Sequence, residues 1–272
     1  WTRALRDADI DVPVPVPTST GSNYAEVKVC GQMRLAGMLK WVNGVTMRSL
    51  LEDQTGSEVT AKRFFQIGEL LAKIHNQACS WKPPKNFSRH SFNLDGLVGE
   101  HPFWGRFWEG RLTNKEQQCW LREARHKVCA ILTRYGETPE TYSLIHADLH
   151  PANIVVEGER LHVIDFDDSG FGWHYYDIAV ALFNYHLETS IEHLQTAMVS
   201  GYRKARSIND EDLSYIPLFM LIRALVLIGW YSARPEVEVG ATILPQLIRY
   251  VRSKGVGVMA SHGLLIKPMP GV

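Results

Sequence analysis

The sequence predicts an α+β protein in which a small β-containing part is followed by a larger, mostly helical part. Two runs rich in β-forming residues come first, Tyr24 to Cys30 and Met33 to Val42. Apolar residues at helical spacing begin at Val59 to Ala78 and dominate the remainder of the sequence. Asn43-Gly44 closes the second β run, so we expect the two parts to join near Trp41 to Gly44.

The composition indicates a globular protein with a small or locally recognised partner. Of 272 residues, 45% are apolar, and 29 basic residues balance 29 acidic ones. Because the net charge is zero, we expect neither nucleic acid nor an anionic membrane surface as partner. The four cysteines form no C-x-x-C pair, which argues against a zinc knuckle and a disulfide framework and favours a reducing cytoplasm.

The most apolar stretch, Tyr215 to Ala233, approaches membrane-spanning length. Arg223 lies at its centre and Pro217 near its start. We therefore interpret the stretch as a buried helix rather than a membrane span. The first residues, Trp1 to Arg6, lack the apolar segment of a signal peptide.

In chain order, residues 1–8 carry a short helical pattern, which the prolines between Asp11 and Pro17 end by forcing an extended backbone. Tyr24 to Cys30 alternates, with its alanine and valines expected to point inward. A turn at Cys30-Gly31-Gln32 joins it to Met33 to Val42, so the two runs predict a hairpin.

The amphipathic helix at Val59 to Ala78 should pack its apolar stripe into a core. A loop rich in proline, asparagine and glycine follows and contains the aromatic cluster Phe103 to Trp108. Another helix is predicted over Asn114 to Tyr135, and mostly helical sequence continues after Trp173.

The strongest candidate for chemistry lies between Ser143 and Asp168. The β-branched runs Ile154 to Val156 and Leu161 to Ile164 flank a Glu-Gly-Glu turn and predict a β-hairpin. This hairpin presents Asn153 at its start and Asp165 at its end. Because an amide oxygen and a carboxylate are hard ligands, the pair suits Mg²⁺ bound beside nucleotide phosphates.

Asp148 precedes Asn153 by five residues and can reach a hydroxyl group placed at the γ-phosphate of ATP. The kinase reaction needs such parts: an aspartate that accepts or orients the hydroxyl proton, and oxygen ligands for the metal. The alternative is a solvated acidic hairpin with an incidental aspartate and asparagine, which the combined spacing disfavours.

The spacing H-x-D-x-x-x-x-N from His146 to Asn153, with I-D-F at residues 164–166, resembles the signature of the aminoglycoside phosphotransferase and choline kinase-like superfamily. Bacterial stress-response and homoserine-type kinases are near relatives in it. The resemblance implies a phosphotransferase that uses ATP and Mg²⁺, with Asp148 as catalytic base and with Asn153 and Asp165 as metal ligands.

The resemblance also implies a protein-kinase-like two-lobe fold with a truncated N-lobe. Residues 1–42 would be the remainder of a β-containing, nucleotide-binding N-lobe. Residues 43–272 would form a helical C-lobe that carries the catalytic loop and the substrate region.

Three further residues have supporting roles by resemblance. His146 props the catalytic loop and is not expected to transfer a proton. Asp177 opens a helix, where it should cap the helix and tie it to the catalytic loop. Asp167 either touches metal or substrate or faces solvent. His150 and His162 lack the spacing of a zinc site.

The segment Leu39 to Gly44 resembles the hinge strand between kinase lobes. By resemblance, the Lys40 carbonyl and the Val42 amide pair with the adenine edge, and Ile164 forms part of the apolar floor beneath the ring. The alternative is an ordinary edge strand that ends in a turn.

The family places a phosphate-covering loop and a strand lysine, paired with a helical glutamate, before this hinge. Trp1 to Leu5 resembles the later half of that helix, and no glycine-rich loop precedes it. Lys28 lies on a strand on the wrong side of the helix. We expect that a further N-terminal segment belongs to the natural protein, and a truncated pseudokinase is the alternative.

The helical half usually holds the acceptor in this fold, so the loop Phe92 to Trp108 and the helix Ile216 to Tyr231 are candidate regions. Trp104 and Trp108 can stack on a sugar or an amine, although core positions are favoured for most of these aromatic residues. A buried Arg223 needs a carboxylate or phosphate partner, either internal or on an amino-acid-like substrate.

Three functions therefore stay open at this point. The first is an ATP-dependent kinase acting on a hydroxyl of an amino alcohol, amino acid, sugar or aminoglycoside. The second is a Ser/Thr protein kinase of the stress-response type. The third is a non-catalytic, pseudokinase-like binding module. The sequence does not indicate the oligomeric state.

Overall fold

The structure is a computed structural model that describes residues 1–53, 56–110, 113–186, 188 and 190–270. Helices are α1 Thr2–Asp7, α2 Met47–Asp53, α3 Ser57–Ser80, α4 Leu94–Val98, α5 Lys115–Tyr135, α6 His174–Phe183, α7 Ile191–Tyr202, α8 Tyr215–Ser232 and α9 Gly240–Ser261. Strands are β1 Pro15–Val16, β2 Ala25–Val29, β3 Gln32–Ala36, β4 Met38–Leu39, β5 Val45–Thr46, β6 Ser91–Phe92, β7 Tyr142–Ile145, β8 Ile154–Glu157, β9 Arg160–Val163 and β10 Gly170–Trp173.

The predicted hairpin near the start of the chain is present as β2 and β3, which pair antiparallel with Ala25 opposite Ala36. The longer second run divides at Gly37, because β4 leaves β3 and pairs with β1 instead. The expected inward face is wrong: in this hairpin only Val27 is even half-buried. Apart from Val27, the apolar side chains of β2 and β3 are exposed.

The chain passes from β4 to β5 through Trp41 to Gly44. Gly44 has a φ of 126°, and a Cβ there would lie 2.3 Å from the Val156 carbonyl oxygen. Only glycine fits this approach. It allows β5 to pair with β8, in a sheet of order β5-β8-β9.

The helical part holds the core. The helix predicted at Val59 to Ala78 is α3, which packs against α7 so closely that a Cβ at Gly68 would meet the Met198 carbonyl oxygen at 1.9 Å. The helix predicted to begin at Asn114 begins one residue later, because Asn114 caps α5 in a reciprocal pair with Gln117.

The buried helix predicted from the most apolar stretch is α8, which packs against α6 and α9. Together with the turn before it, this helix is long and apolar enough to span a membrane, but 61% of its most apolar window is buried inside the fold. All four cysteines, Cys30, Cys79, Cys119 and Cys129, have free thiols in the structure.

Candidate active site

The loop from His146 to Asn153, called the catalytic loop because of its resemblance to the family motif, connects β7 to the β8–β9 hairpin. The structure contains this hairpin where the sequence predicts it. Ile154 pairs with Val163 at its open end, and the chain turns after Glu157. Beyond the paired residues, the Ile164 backbone N–H donates to the Asn153 carbonyl at 3.0 Å. Asn153 and Asp165 therefore flank the same end of the hairpin.

Asp177 anchors this loop from α6. Its carboxylate is fully buried and accepts the backbone N–H of His146 at 3.0 Å and that of Ala147 at 2.7 Å. Ala147 has a φ of 65°, in the left-handed region that costs a non-glycine residue roughly 1–2 kcal/mol. The two hydrogen bonds hold this strained conformation and thereby fix the direction in which Asp148 leaves the loop.

The contact between Asp177 and the loop matches the tie inferred from the sequence. The expectation that Asp177 also caps its helix is wrong. The N-cap of α6 is Trp173, which makes no side-chain cap hydrogen bond, and Asp177 lies four residues later. From there both carboxylate oxygens point to the catalytic loop rather than to the first turn of α6.

His75 is a supporting residue that the sequence interpretation missed. It is fully buried on α3, where its Nε2 lies 3.2 Å from a carboxylate oxygen of Asp177 and its Nδ1 lies 2.8 Å from the Tyr202 hydroxyl. Burial lowers the pKa of His75 to about 3, so the ring is neutral. It therefore donates to Asp177 and accepts from Tyr202. A polar residue four positions after Leu71, on the apolar stripe of α3, was the available signal.

The electrostatics of Asp177 follow from the same contacts. Burial raises the pKa of its carboxyl group, whereas His146 and the two backbone N–H donors act in the opposite direction. The buried negative charge of Asp177 is thus stabilised by the same loop that Asp177 positions.

His146 connects the loop to Ile164, the residue that follows β9. Burial lowers the pKa of its ring, which is therefore neutral. Nε2 donates to the Ile164 carbonyl at 3.0 Å, and Nδ1 accepts the Asp148 backbone N–H at 3.3 Å. Both ring nitrogens are used for internal contacts, which supports a propping role rather than proton transfer.

Asp148 is held by partners on both oxygens. Its Oδ1 accepts from Arg223 Nη2 at 2.8 Å and its Oδ2 accepts from Asn153 Nδ2 at 3.2 Å. The partner of the partly buried Arg223 is thus internal, and Nη1 of the same guanidinium also donates to the Tyr176 hydroxyl at 3.4 Å. Because α8 carries this arginine, the core helix sets the orientation of the candidate base.

The expected metal ligands carry donor atoms that fit Mg²⁺. In the described part of the chain, Asn153 makes its side-chain hydrogen bonds through Nδ2, to the carbonyl and carboxylate of Asp148, which leaves its amide oxygen for another ligand. Asp165 is exposed and has a φ of 64°, so its carboxylate follows directly from a sharp reversal. One amide and one carboxylate are the modest protein share that Mg²⁺ takes beside nucleotide phosphates.

The segment after Asp165 is held by Arg89, which the sequence interpretation also missed. Its guanidinium donates to the backbone carbonyls of Phe166, Asp167 and Ser169. The side chain of Asp167 is exposed, and Arg89 contacts this residue through its backbone carbonyl. A supporting role for the Asp167 carboxylate stays a prediction.

A mostly apolar cavity of about 400 Å³ lies between the two parts of the chain. The sequence-predicted nucleotide residues Lys40, Val42 and Ile164 line it together, and Asp165 lies at its edge. Leu39 and Val155 supply further apolar wall. An apolar slot that ends at a carboxylate matches a planar base with its phosphates directed toward a metal.

A second cavity, of about 310 Å³, is lined by residues of the catalytic loop and of α8. Asp148 and Arg223 line it, as do Trp104, Trp230 and Tyr231. His150 and Asp168 also border this space, and neither was assigned a role from the sequence. The candidate base therefore faces a space that can hold an acceptor.

The two tryptophans proposed as acceptor contacts differ in position. Trp104 lines the second cavity, whereas Trp108 is 4% exposed and packs in the core beneath the guanidinium of Arg125, 4.6 Å from its ring centre. The acceptor contact expected of Trp108 is wrong, because its ring is covered by the protein itself. Phe103 lies outside this cavity's lining and stacks on His90.

The sequence matches the phosphotransferase enzyme family over residues 1–208. It is 30% identical over 174 residues to a homoserine kinase of Sinorhizobium fredii, which covers 62% of this chain and 51% of that relative. The structure of a microcompartment-associated aminopropanol kinase matches with a TM-score of 0.81 and 29% identity, over 97% of this chain and 81% of that one. An amicoumacin kinase, hAmiN, in complex with AMP-PNP, Ca²⁺ and Ami, matches with a TM-score of 0.75 and 18% identity, over 93% and 75%.

These similarities confirm the kinase-like fold and the family relationship that the motif predicts. The chain spans about half the length of the homoserine kinase it matches. The relatives are kinases named for small molecules, which bears out the predicted class of reaction.

Proposed function

Because this chain belongs to the phosphotransferase enzyme family, we propose that the whole protein transfers the γ-phosphate of ATP to a hydroxyl group of a small molecule. The observation that carries the proposal is that residues of one sequence motif line two cavities. One cavity is lined by Ile164 and Asp165 and suits a nucleotide, and the other is lined by Asp148 and suits an acceptor.

In this proposal Asp148 accepts the proton of the acceptor hydroxyl as its oxygen approaches the γ-phosphate. The ion pair with Arg223 and the hydrogen bond from Asn153 hold the carboxylate in one orientation. Phosphoryl transfer depends mainly on positioning and charge stabilisation. Fixing the base through two partners therefore supplies a large part of what the protein must contribute.

Asn153 and Asp165 would hold Mg²⁺, which neutralises developing charge on the phosphates when bound. The adenine ring would lie between Val42 and Ile164, with the backbone of Lys40 at its edge. Residues 1–42 and 43–272 would then act as the nucleotide lobe and the catalytic lobe. The four free thiols are in keeping with the cytoplasmic setting expected from the sequence, which stays a prediction.

The roles separate experimentally. We expect Asp148→Ala to lower kcat by at least about 1,000-fold with an unchanged Kd for Mg-ATP, since it removes the base but no nucleotide contact. Asp165→Ala should lower kcat and also weaken Mg-ATP binding by about tenfold or more. Steady-state kinetics and calorimetry measure both, and Glu236→Gln, an exposed carboxylate loss, is the control.

Equal effects of the two substitutions on Mg-ATP binding would contradict these roles. Phosphate appearing on protein substrates, with none on small molecules, would favour the protein kinase alternative. Tight Mg-ATP binding without turnover on any acceptor would favour a non-catalytic module.

A further inference from the structure

The guanidinium of Arg223 has donors to spare beside the candidate base. In the described part of the chain it donates to Asp148 through Nη2 and to the Tyr176 hydroxyl through Nη1. A guanidinium carries five N–H groups, so these two contacts leave three donors for a ligand. We propose that Arg223 is a second catalytic residue, which releases Asp148 during the reaction and binds the phosphoryl group as it reaches the acceptor. This inference rests on the proposed function, since it adds a residue to the same transfer.

The position of Arg223 puts it within reach of the reacting atoms. It borders the acceptor cavity together with Asp148, and its Nη2 lies 2.8 Å from Oδ1 of that carboxylate. A phosphoryl group that bonds to a hydroxyl oxygen at Asp148 has its own oxygens two bonds beyond the hydroxyl oxygen. A rotation of the guanidinium is therefore enough to exchange a carboxylate oxygen for a phosphoryl oxygen.

The charge balance of the reaction favours this exchange. The O–H bond of the acceptor breaks and its proton goes to Asp148, while the new O–P bond forms and the β,γ-bridging bond breaks with its electron pair leaving on ADP. Arg223 keeps its charge throughout, since a guanidinium is not deprotonated in proteins. The step thus removes the counter-charge of Arg223 and brings a multiply charged anion to the same place.

The surroundings make an uncompensated guanidinium costly. The side chain of Arg223 is only 12% exposed, so water replaces a lost partner poorly. A phosphoryl group is a suitable replacement, because the planar fork of a guanidinium matches two of its oxygens. Negative charge on these oxygens would then be stabilised by Arg223 on the acceptor side of the reaction.

The neighbours of Arg223 allow it to move without disturbing the base. Tyr176 is fully buried on α6, and its hydroxyl lies 3.4 Å from Nη1, so it supplies a second contact that does not involve Asp148. Asp148 in turn keeps the hydrogen bond from Asn153 Nδ2 to its Oδ2 at 3.2 Å. Each member of the ion pair therefore has another partner when the pair opens.

The test is the binding of inorganic phosphate, measured by calorimetry at constant ionic strength without ATP or acceptor. In the native protein the guanidinium is occupied by Asp148, and phosphate should bind weakly. Asp148→Asn removes the counter-charge, so we expect the Kd of phosphate to fall about 10- to 100-fold, the range of one charge-assisted contact. Adding Arg223→Met to Asp148→Asn should abolish the gain. Glu236→Gln, an exposed carboxylate loss, should leave the Kd unchanged.

A second comparison separates a specific contact from a general change of charge. Asp168→Asn also removes a carboxylate from the cavity lining, but not the one that pairs with Arg223. Its phosphate Kd should change by less than about threefold, because no donor of Arg223 is released. If Arg223→Met does not fold, Arg223→Lys serves in its place. Combined with Asp148→Asn, it should retain only part of the gain, since lysine keeps the charge without the planar fork.

The possible failures are distinguishable. An unchanged phosphate Kd in Asp148→Asn, a gain that persists in full without Arg223, or an equal gain in Asp168→Asn would overturn the role of Arg223. If the native protein still turns over an acceptor, the proposed function survives such a result. Absence of turnover by the native protein on every acceptor would instead defeat the proposed function, whatever the phosphate titration gives.

Discussion

Replacing Asp177 by asparagine leaves one acceptor oxygen where the native side chain has two. The carboxylate accepts two backbone N–H groups of the catalytic loop and the Nε2–H of His75, all within 3.2 Å. Asparagine can satisfy one of the two loop donors. Its NH2 group would face the other donor, so one buried N–H would lose its partner.

The energetic cost follows from these contacts. A hydrogen bond to a charged group contributes about 1.5–3 kcal/mol, and an unsatisfied buried donor costs about 1–3 kcal/mol. Asp177→Asn should therefore lower the free energy of unfolding by about 3–5 kcal/mol, a large share of the roughly 5–15 kcal/mol typical of a folded domain. Relaxation of Ala147 toward an unstrained φ would also turn Asp148 away from the acceptor cavity.

The assay has two parts. Urea unfolding measures the loss of stability, and turnover is then measured at a temperature where the variant is folded. We expect kcat to fall about 100-fold or more, because small displacements of a base are costly, while the Kd for Mg-ATP changes little. Asp210→Asn is the control, since it removes a surface carboxylate paired with Arg203.

The two measurements together decide the matter. A folded Asp177→Asn protein whose kcat stays within about threefold of the native value would show that the loop does not depend on Asp177. A stability loss below about 1 kcal/mol would contradict the assignment of the two backbone hydrogen bonds.

Two further predictions concern His75 and Arg89. The pKa of His75 is about 3 in the fold and about 6.5 in the unfolded chain, so the unfolded state binds protons preferentially between these values. The contribution of His75 to the free energy of unfolding is complete above pH 6.5 and is lost as the pH falls, by about 2 kcal/mol at pH 5. Urea unfolding at several pH values should show that His75→Gln reduces this pH dependence. The control, replacement of the exposed His193 by asparagine, should leave it unchanged. Arg89→Met removes the donor from three carbonyls that follow Asp165, so we expect the KM for Mg-ATP to rise about tenfold and Arg89→Lys to show a smaller change. Unchanged Mg-ATP kinetics in Arg89→Met would show that the segment holds its shape without this clamp.

The parts of the site that are local in sequence could be predicted. The hairpin that carries Asn153 and Asp165 follows from two β-branched runs around one turn, and the structure contains it with Ile154 opposite Val163. The loop and both candidate ligands lie within about twenty residues of each other, so spacing alone defines their order.

The contacts that could not be predicted join distant segments. Arg223 meets Asp148 across 75 positions, and His75 meets Asp177 across 102. Such pairs depend on how α3, α6 and α8 pack, and helical periodicity shows which face is buried without showing which residue it meets. The same reason explains the error for Trp108, whose aromatic cluster is compatible with both core and cavity.

The error in the β2–β3 hairpin has a different cause. Alternation of apolar and polar residues predicts that a strand has one buried face only if another element covers that face. In the described structure, Met33 and Leu35 are 62% and 70% exposed. Sequence periodicity correctly predicts the strands here but not their environment.

The central claim is that this protein moves phosphate from ATP to a hydroxyl group held at Asp148. Phosphorus NMR of ATP, Mg²⁺ and the protein, mixed in turn with an amino alcohol, an amino acid, a sugar and an aminoglycoside, tests it most directly. A phosphomonoester signal should appear together with ADP, and Asp148→Asn should abolish both. Release of inorganic phosphate without an ester, or an ester that forms equally with Asp148→Asn, would contradict the claim.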